Sequence, residues 1–278
     1  MNSMGGKNST GSTGDLGMSK FKAVVFDWAG TMIDFGSFAP MGAFVDTFAK
    51  FGVAVTIPDA RKPMGLPKRL HIAAMLAEPH IAEGWRIAQG GLPDEATIDA
   101  VYKLFVPLNE EVVSNYCTLI PGALETANHI RAKGMKIGST TGYTRSIMQR
   151  VLPLAAAQGY APDNLVCADD LPLGRPTAIG MYKCFLDLMV HPASAVIKVD
   201  DTEPGIAEGV EAGCVTVGLT LSGNEAGLTP DELAALSAAE RQALHERVAA
   251  KLIAAGADYV IGTVAELPAL IDRLEDDR

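Results

Sequence analysis

Short apolar runs alternate along the chain with longer stretches in which apolar positions recur every three or four residues. The runs are KAVVFD (22–27), MKIGSTT (135–141), NLVCA (164–168), AVIKVD (195–200), VTVGL (215–219) and DYVI (258–261). Their length and β-branched content predict strands. From Met135 onward, amphipathic stretches predict helices over 144–158, 178–189, 204–212 and 233–255. Strands alternating with helices imply parallel βαβ units and an α/β fold with a doubly wound parallel sheet. Gly134 and Gly213 each follow such a stretch and read as helix stops.

One region breaks the alternation. Between residues 36 and 115 there is helical periodicity and no convincing strand. Phe44, Val45, Phe48 and Ala49 form one apolar stripe, and Ile98, Val101, Tyr102, Phe105 and Leu108 form another. A segment this long is no loop, so the organisation expected is a helical cap domain over 36–115, inserted into a core of 21–35 and 116–278. The crossings fall near 35–37 and 116–121, where Gly36 and Gly122 permit movement, as Gly65 does within the insert. Residues 1–20, rich in Gly, Ser, Thr and Asn, predict a disordered leader.

Composition narrows the class. The 278 residues carry a net charge of −10, from 33 acidic and 23 basic side chains, which disfavours nucleic acid or an anionic membrane as partner. No uncharged run is long enough to span a bilayer, so a soluble protein is expected. Cys117, Cys167, Cys184 and Cys214 have no spacing for zinc or a redox dithiol, which fits reduced thiols in the cytoplasm.

In open α/β sheets, ligands bind beyond the carboxyl ends of the strands. Those ends carry Asp27, the Ser139-Thr140-Thr141-Gly142 turn and Asp200-Asp201-Thr202. Hydroxyls and free N–H groups at such a turn suit phosphate oxygens, which neighbouring carboxylates would repel unless Mg²⁺ lay between them. Arg175 would neutralise further charge. Singly, each has an ordinary explanation: a strand-end Asp caps helices, STTG is a turn, Arg175 is a surface charge. Their order and common location favour a phosphate site. Within the insert, Lys68 and His71 stand three apart at the start of a helix opened by Pro67 and so share a face. They read either as a solvated basic face or as an amine beside an imidazole, suited to imine chemistry.

The strand-end set resembles the haloacid dehalogenase superfamily, whose members use the first strand-end Asp as nucleophile. Most phosphate-ester hydrolases among them carry a second Asp two residues later as proton donor; here that residue is Ala29. With FDWAGT, FAP, ARKPMGL, KIGSTTGYTR, GRP and GLT, the chain resembles the phosphonoacetaldehyde hydrolase (phosphonatase) family over nearly its whole length. The resemblance implies a homodimer that hydrolyses the C–P bond of phosphonoacetaldehyde in 2-aminoethylphosphonate degradation. Asp27 would be the nucleophile, Lys68 the Schiff-base amine and His71 a proton shuttle. Mg²⁺ would be held by Asp27, the Ala29 carbonyl and Asp201, with Asp200 the alternative; Thr141, Gly142 and Arg175 would bind phosphate. Many relatives also carry an acid four residues after the metal Asp, where this chain has Gly205.

Four subsidiary expectations follow. Lysine ordinarily titrates near 10.4, and bringing it to 7–8 takes about 4 kcal/mol, which burial plus Arg69 or the metal site would supply. Lys62, preceding Pro63, should be extended and solvated. Trp85 or exposed apolar cap residues would contribute to a dimer interface. A phosphatase or phosphomutase acting on a small phosphate ester is the alternative activity.

Overall fold

The computed structural model describes residues 19–276, so the expected leader lies, except for Ser19 and Lys20, outside the described residues. The core is built from β1 (Ala23–Phe26), β2 (Lys136–Ser139), β3 (Val196–Asp200), β4 (Val215–Leu219) and β5 (Tyr259–Ile261). All pairs are parallel, in the order β2-β1-β3-β4-β5. Between β1 and β2 run α1 (Ala39–Lys50), α2 (Ile57–Arg61), α3 (Lys68–Ala77), α4 (Pro79–Gln89), α5 (Glu95–Val112) and α6 (Ala123–Ala132). After β2 come α7 (Arg145–Ala157) and α8 (Ile179–Leu188); α9 (Glu203–Ala212) links β3 to β4. Then follow α10 (Pro230–Ala235), α11 (Ala238–Ala254) and, after β5, α12 (Leu267–Asp276).

Strand alternation builds two cores. Val24 and Phe26 of β1 face one side with Ile130 of α6, Ile147 of α7 and Leu270 of α12. Ala23 and Val25 face the other, with Met181 and Cys184 of α8. A third apolar cluster belongs to the insert alone: Met41, Phe44, Phe48, Ile72, Met75, Trp85, Val101 and Phe105 close on one another. The two crossings are tied together, because Ile33 bridges Leu119 and the Ile120 amide donates to the Met32 carbonyl at 2.9 Å.

Four expectations need correction. NLVCA is not a strand: Val166 makes a single bridge to Thr140. Side chains take two of the β2 amides there, Ile137 N–H to Asp163 at 2.7 Å and Ser139 N–H to the Asn164 side chain at 3.2 Å, while the Asp163 and Val166 amides still donate to the Ile137 and Ser139 carbonyls at 2.7 and 2.9 Å. The helix expected over 233–255 is two helices, because Ser237 and Glu240 form a capping box that restarts it after extended Leu236. Trp85 is no surface residue; it is buried and packs on Phe51 with ring centroids 5.1 Å apart. On α1 the buried stripe is Met41, Phe44 and Phe48, with Val45 half-buried and Ala49 exposed.

Candidate active site

The carboxyl ends of β1, β2 and β3 meet the loop before α3 in one narrow pocket. It is lined by Asp27, Ala29, Met64, Gly65, Lys68, Thr141, Gly142, Tyr143, Arg175 and Thr202. Asp27 follows β1 directly, with its amide donating to the Val199 carbonyl at 3.1 Å. Thr141 follows β2, and its hydroxyl accepts the Tyr143 amide at 3.1 Å. Glycines mark close approaches between the insert and the core, two of them at the pocket. Gly65 has φ +90°, and a Cβ there would stand 2.4 Å from the Thr202 hydroxyl. A Cβ on Gly142 would come within 3.1 Å of the Leu66 carbonyl.

Lys68 opens α3 after Pro67 and is buried, as is His71 one turn on. Its Nζ lies 3.7 Å from Met64 Sδ and 5.4 and 5.8 Å from the ring centroids of Tyr143 and Phe44. Burial lowers its pKa to about 8; Asp27 opposes the shift and Arg175 assists it. Arg69 has no part in this, because it is exposed and pairs with Asp99 at 2.8 Å and Glu95 at 2.7 Å. His71 stacks on Phe44 at 4.1 Å and donates Nε2–H to the Ala60 carbonyl at 2.8 Å. Its lone pair is therefore on Nδ1, which has no partner. Burial and the Lys68 charge hold the ring well below its ordinary pKa, hence neutral. Lys62 is solvated as expected but not extended: φ −51° and ψ −51° make it a helical C-cap, paired with Glu78 at 3.1 Å.

Asp27, Asp200 and Asp201, all buried, each offer a carboxylate oxygen within 4.8 Å of the others. Their surroundings differ sharply. Asp200 faces Lys198 Nζ at 3.0 Å and Arg175 Nη2 at 3.2 Å. Burial acts to raise its pKa, but these cations leave it below the ordinary carboxylate value. Among the described residues, the donors to Asp201 are neutral, the Asn224 amide at 2.7 Å and the Thr31 hydroxyl at 3.1 Å. Burial, then Asp200 and Asp27, push its pKa well up. Asp27 is raised to about 6 by burial, against the pull of Arg175 Nη2 at 2.8 Å. Three buried carboxylates offering hard oxygen donors within reach of one another fit a metal ion.

The family described as haloacid dehalogenase-like hydrolase matches residues 21–213. Phosphonoacetaldehyde hydrolase from Paraburkholderia phytofirmans is 49% identical over 93% of this chain and 97% of its own length. The enzyme of that name from Bordetella avium is 45% identical over 92% and 91%. A solved phosphonoacetaldehyde hydrolase-like protein from Oleispira antarctica superposes with a TM-score of 0.91 at 41% identity, covering 93% of this chain and 94% of its own. This chain belongs to the phosphonoacetaldehyde hydrolase family, within the haloacid dehalogenase-like hydrolases.

Of the expected site residues, Asp27, Ala29, Lys68, Thr141, Gly142 and Arg175 line one pocket and Asp200 and Asp201 are buried against Asp27, whereas His71, wholly buried one turn after Lys68, is not among the lining residues. Sequence reasoning overlooked the residues beneath them. Lys198, wholly buried in β3, bonds the Thr140 hydroxyl at 2.8 Å and faces Glu208 at 3.3 Å. Glu208 also takes Arg175 Nε at 3.1 Å, so Arg175 is held from three sides while its Nη1 stays without a partner. The one available signal was a lysine inside the apolar run VIKVD. Asp34 was overlooked too; its two oxygens accept the Phe38 and Ala39 amides at 2.9 Å, and burial raises it to about 6.

Proposed function

We propose that this chain hydrolyses the carbon–phosphorus bond of phosphonoacetaldehyde, giving acetaldehyde and phosphate, with Lys68 as the imine-forming amine and Asp27 as the nucleophile. One observation carries the reading. A single pocket is lined by Asp27 and a lysine whose pKa is lowered to about 8, with a methyl group at Ala29 where an acid would stand.

The chemistry follows from those side chains. Neutral Lys68 adds to the aldehyde, and loss of water leaves an iminium one carbon from the methylene bonded to phosphorus. On this reading His71, whose Nδ1 has no partner and which stands one turn after Lys68, carries protons in that addition and in its reversal. Asp27 attacks phosphorus; the P–C electron pair moves into the iminium and leaves as an enamine, so no acid at position 29 is needed. Arg175 Nη1, with the Thr141 hydroxyl and the Gly142 backbone, receives the phosphoryl oxygens. Water then cleaves the aspartyl-phosphate, and the enamine is protonated and hydrolysed to free Lys68 and acetaldehyde. Mg²⁺, held by Asp27, the Ala29 carbonyl and Asp201, would supply charge neutralisation between carboxylates and phosphonate.

The same proposal reads 36–115 as a cap domain on a core of 21–35 and 116–278, supported by the insert's separate apolar cluster. The implied homodimer belongs to it and is tested by sedimentation. So does a cytoplasmic location, supported by four buried free cysteines; among the described residues no helix is long and apolar enough to cross a membrane. Ester hydrolysis is disfavoured, because Asp27 is the only carboxylic acid lining the pocket among the described residues. The deciding experiment measures phosphate and acetaldehyde released from phosphonoacetaldehyde, with and without Mg²⁺, beside p-nitrophenyl phosphate. Metal-dependent release of both products supports the reading. Turnover of the ester alone overturns it.

A further inference from the structure

Val196, Lys198 and Asp200 alternate onto the face of β3 that α8 and α9 cover, while Ile197 and Val199 face the other core. The middle of that face calls for an apolar residue, yet Lys198 is wholly buried there, with Glu208 of α9 buried against it. The backbone makes room for both. An ideal Cβ on Gly209 would stand 2.7 Å from Lys198 Cγ, and one on Gly180 would stand 2.6 Å from Glu208 Oε1. Taking two ions out of water is costly, and well-packed apolar groups of similar volume serve stability as well or better. Stability therefore does not explain the pair.

Both members bear on Arg175. Glu208 Oε2 accepts Arg175 Nε–H at 3.1 Å and the Thr140 hydroxyl at 2.8 Å. That hydroxyl accepts Lys198 Nζ at 2.8 Å and Arg175 Nη2 at 2.9 Å, and the Thr140 carbonyl takes Nη2 at 2.8 Å. A planar guanidinium held at two nitrogens has its third direction fixed, and the third nitrogen is Nη1, buried and without a partner. Charge points the same way. Arg175 faces Asp27, Asp200 and Glu208, and Lys198 Nζ lies 3.0 Å from Asp200 and 3.3 Å from Glu208. Without Lys198, one guanidinium would answer three carboxylates, leaving little charge for an anion at Nη1. Neither Lys198 nor Glu208 lines the pocket with Asp27.

We infer that Lys198 and Glu208 are a pair of positioning residues for phosphoryl binding: they fix Arg175 Nη1 for the anion and keep its charge available, without touching the substrate themselves. The inference rests on the reading of Arg175 as the phosphoryl-binding cation. It does not depend on which bond the enzyme breaks.

Binding of inorganic phosphate to the intact protein with Mg²⁺ present, followed by calorimetry beside the melting temperature, tests it. The double variant Lys198→Met with Glu208→Leu replaces the ion pair by apolar groups of similar size, and should melt at or above the wild-type temperature. It should nonetheless bind phosphate about 10–100-fold more weakly, because the charge-assisted bond to Nε is gone. A pair that served only the fold would leave phosphate affinity unchanged once stability is restored. Glu208→Gln keeps the shape and should also bind phosphate more weakly, whereas a glutamate acting only as a repelling charge would give tighter binding on removal. Arg175→Ala sets the scale, and unchanged phosphate affinity there would sink the reading of this pocket as a phosphoryl site. With Arg175→Ala impaired, wild-type affinity in the double variant overturns the inference, as does unchanged or tighter binding by Glu208→Gln. If the wild type binds phosphate as expected yet never cleaves phosphonoacetaldehyde, the functional reading fails and this inference stands.

Discussion

Burial is the main reason the Lys68 amine titrates near 8 instead of 10.5, and the Arg175 charge adds to it. The rate of imine formation depends on the neutral fraction of that amine. kcat/KM should therefore climb about tenfold per pH unit up to a break near 8, measured on phosphonoacetaldehyde with Mg²⁺ saturating. The same shift bears on stability. With the folded pKa below the unfolded one, the unfolded chain binds more protons between pH 8 and 10.5, so the penalty is full below 8 and fades as pH rises. Lys68→Met should raise stability by about 3 kcal/mol at pH 7, with the gain vanishing above the unfolded lysine pKa, while turnover disappears. Denaturant unfolding at the two pH values checks this. An unchanged stability at neutral pH would mean that the amine is not desolvated.

At the scale of elements, Arg61 ties the helical insert to the part of the core that holds Asp201. Arg61, at the end of α2, donates to the Gly36 carbonyl at 2.7 Å and to the Asn224 carbonyl at 3.0 Å. Asn224 Nδ2 returns a bond to the Arg61 carbonyl at 3.1 Å, and the Asn224 amide holds Asp201 at 2.7 Å. Arg61→Ala removes charge-assisted bonds worth about 1.5–3 kcal/mol each. It should raise KM and speed amide exchange across α2 and α3, with the sheet amides unaffected. Unchanged exchange there would show that Arg61 does not hold the insert down. This link was not legible in the sequence, because its partners lie 163 positions apart and no local pattern marks them. Asp27, Thr141 and Asp201 were legible, because parallel strands carry their carboxyl ends to one edge. Lys68 and His71 were legible from helical spacing. NLVCA misled because its composition is that of a strand, while its neighbours Asp163 and Asn164 meet the β2 edge with side chains. Arg69 misled because proximity in sequence put it on the solvent side of α3.

At the scale of the whole molecule, the proposed reaction is divided between the sheet ends and the helical insert, which has its own apolar cluster. On the proposed reading, the sheet ends would supply a nucleophile, an anion site and a carboxylate set for a cation, and the insert would supply the amine. A chelator should therefore abolish turnover, with Mg²⁺ restoring it, and activity surviving exhaustive chelation would count against the cation site. The missing acid at position 29 should leave simple phosphate monoesters nearly inert, by about 10²–10⁴-fold relative to an enzyme with that donor. Efficient release of phosphate from p-nitrophenyl phosphate would contradict the role given to Ala29. The claim that joins the two is that Lys68 binds the substrate covalently while Asp27 takes the phosphoryl group. Borohydride added with phosphonoacetaldehyde tests it most directly, with peptide mass mapping to locate the reduced adduct. The adduct should lie on the peptide carrying Lys68 and be absent from Lys68→Arg, which should also be inactive and folded. An adduct on Lys62, or substantial turnover by Lys68→Arg, would contradict the account.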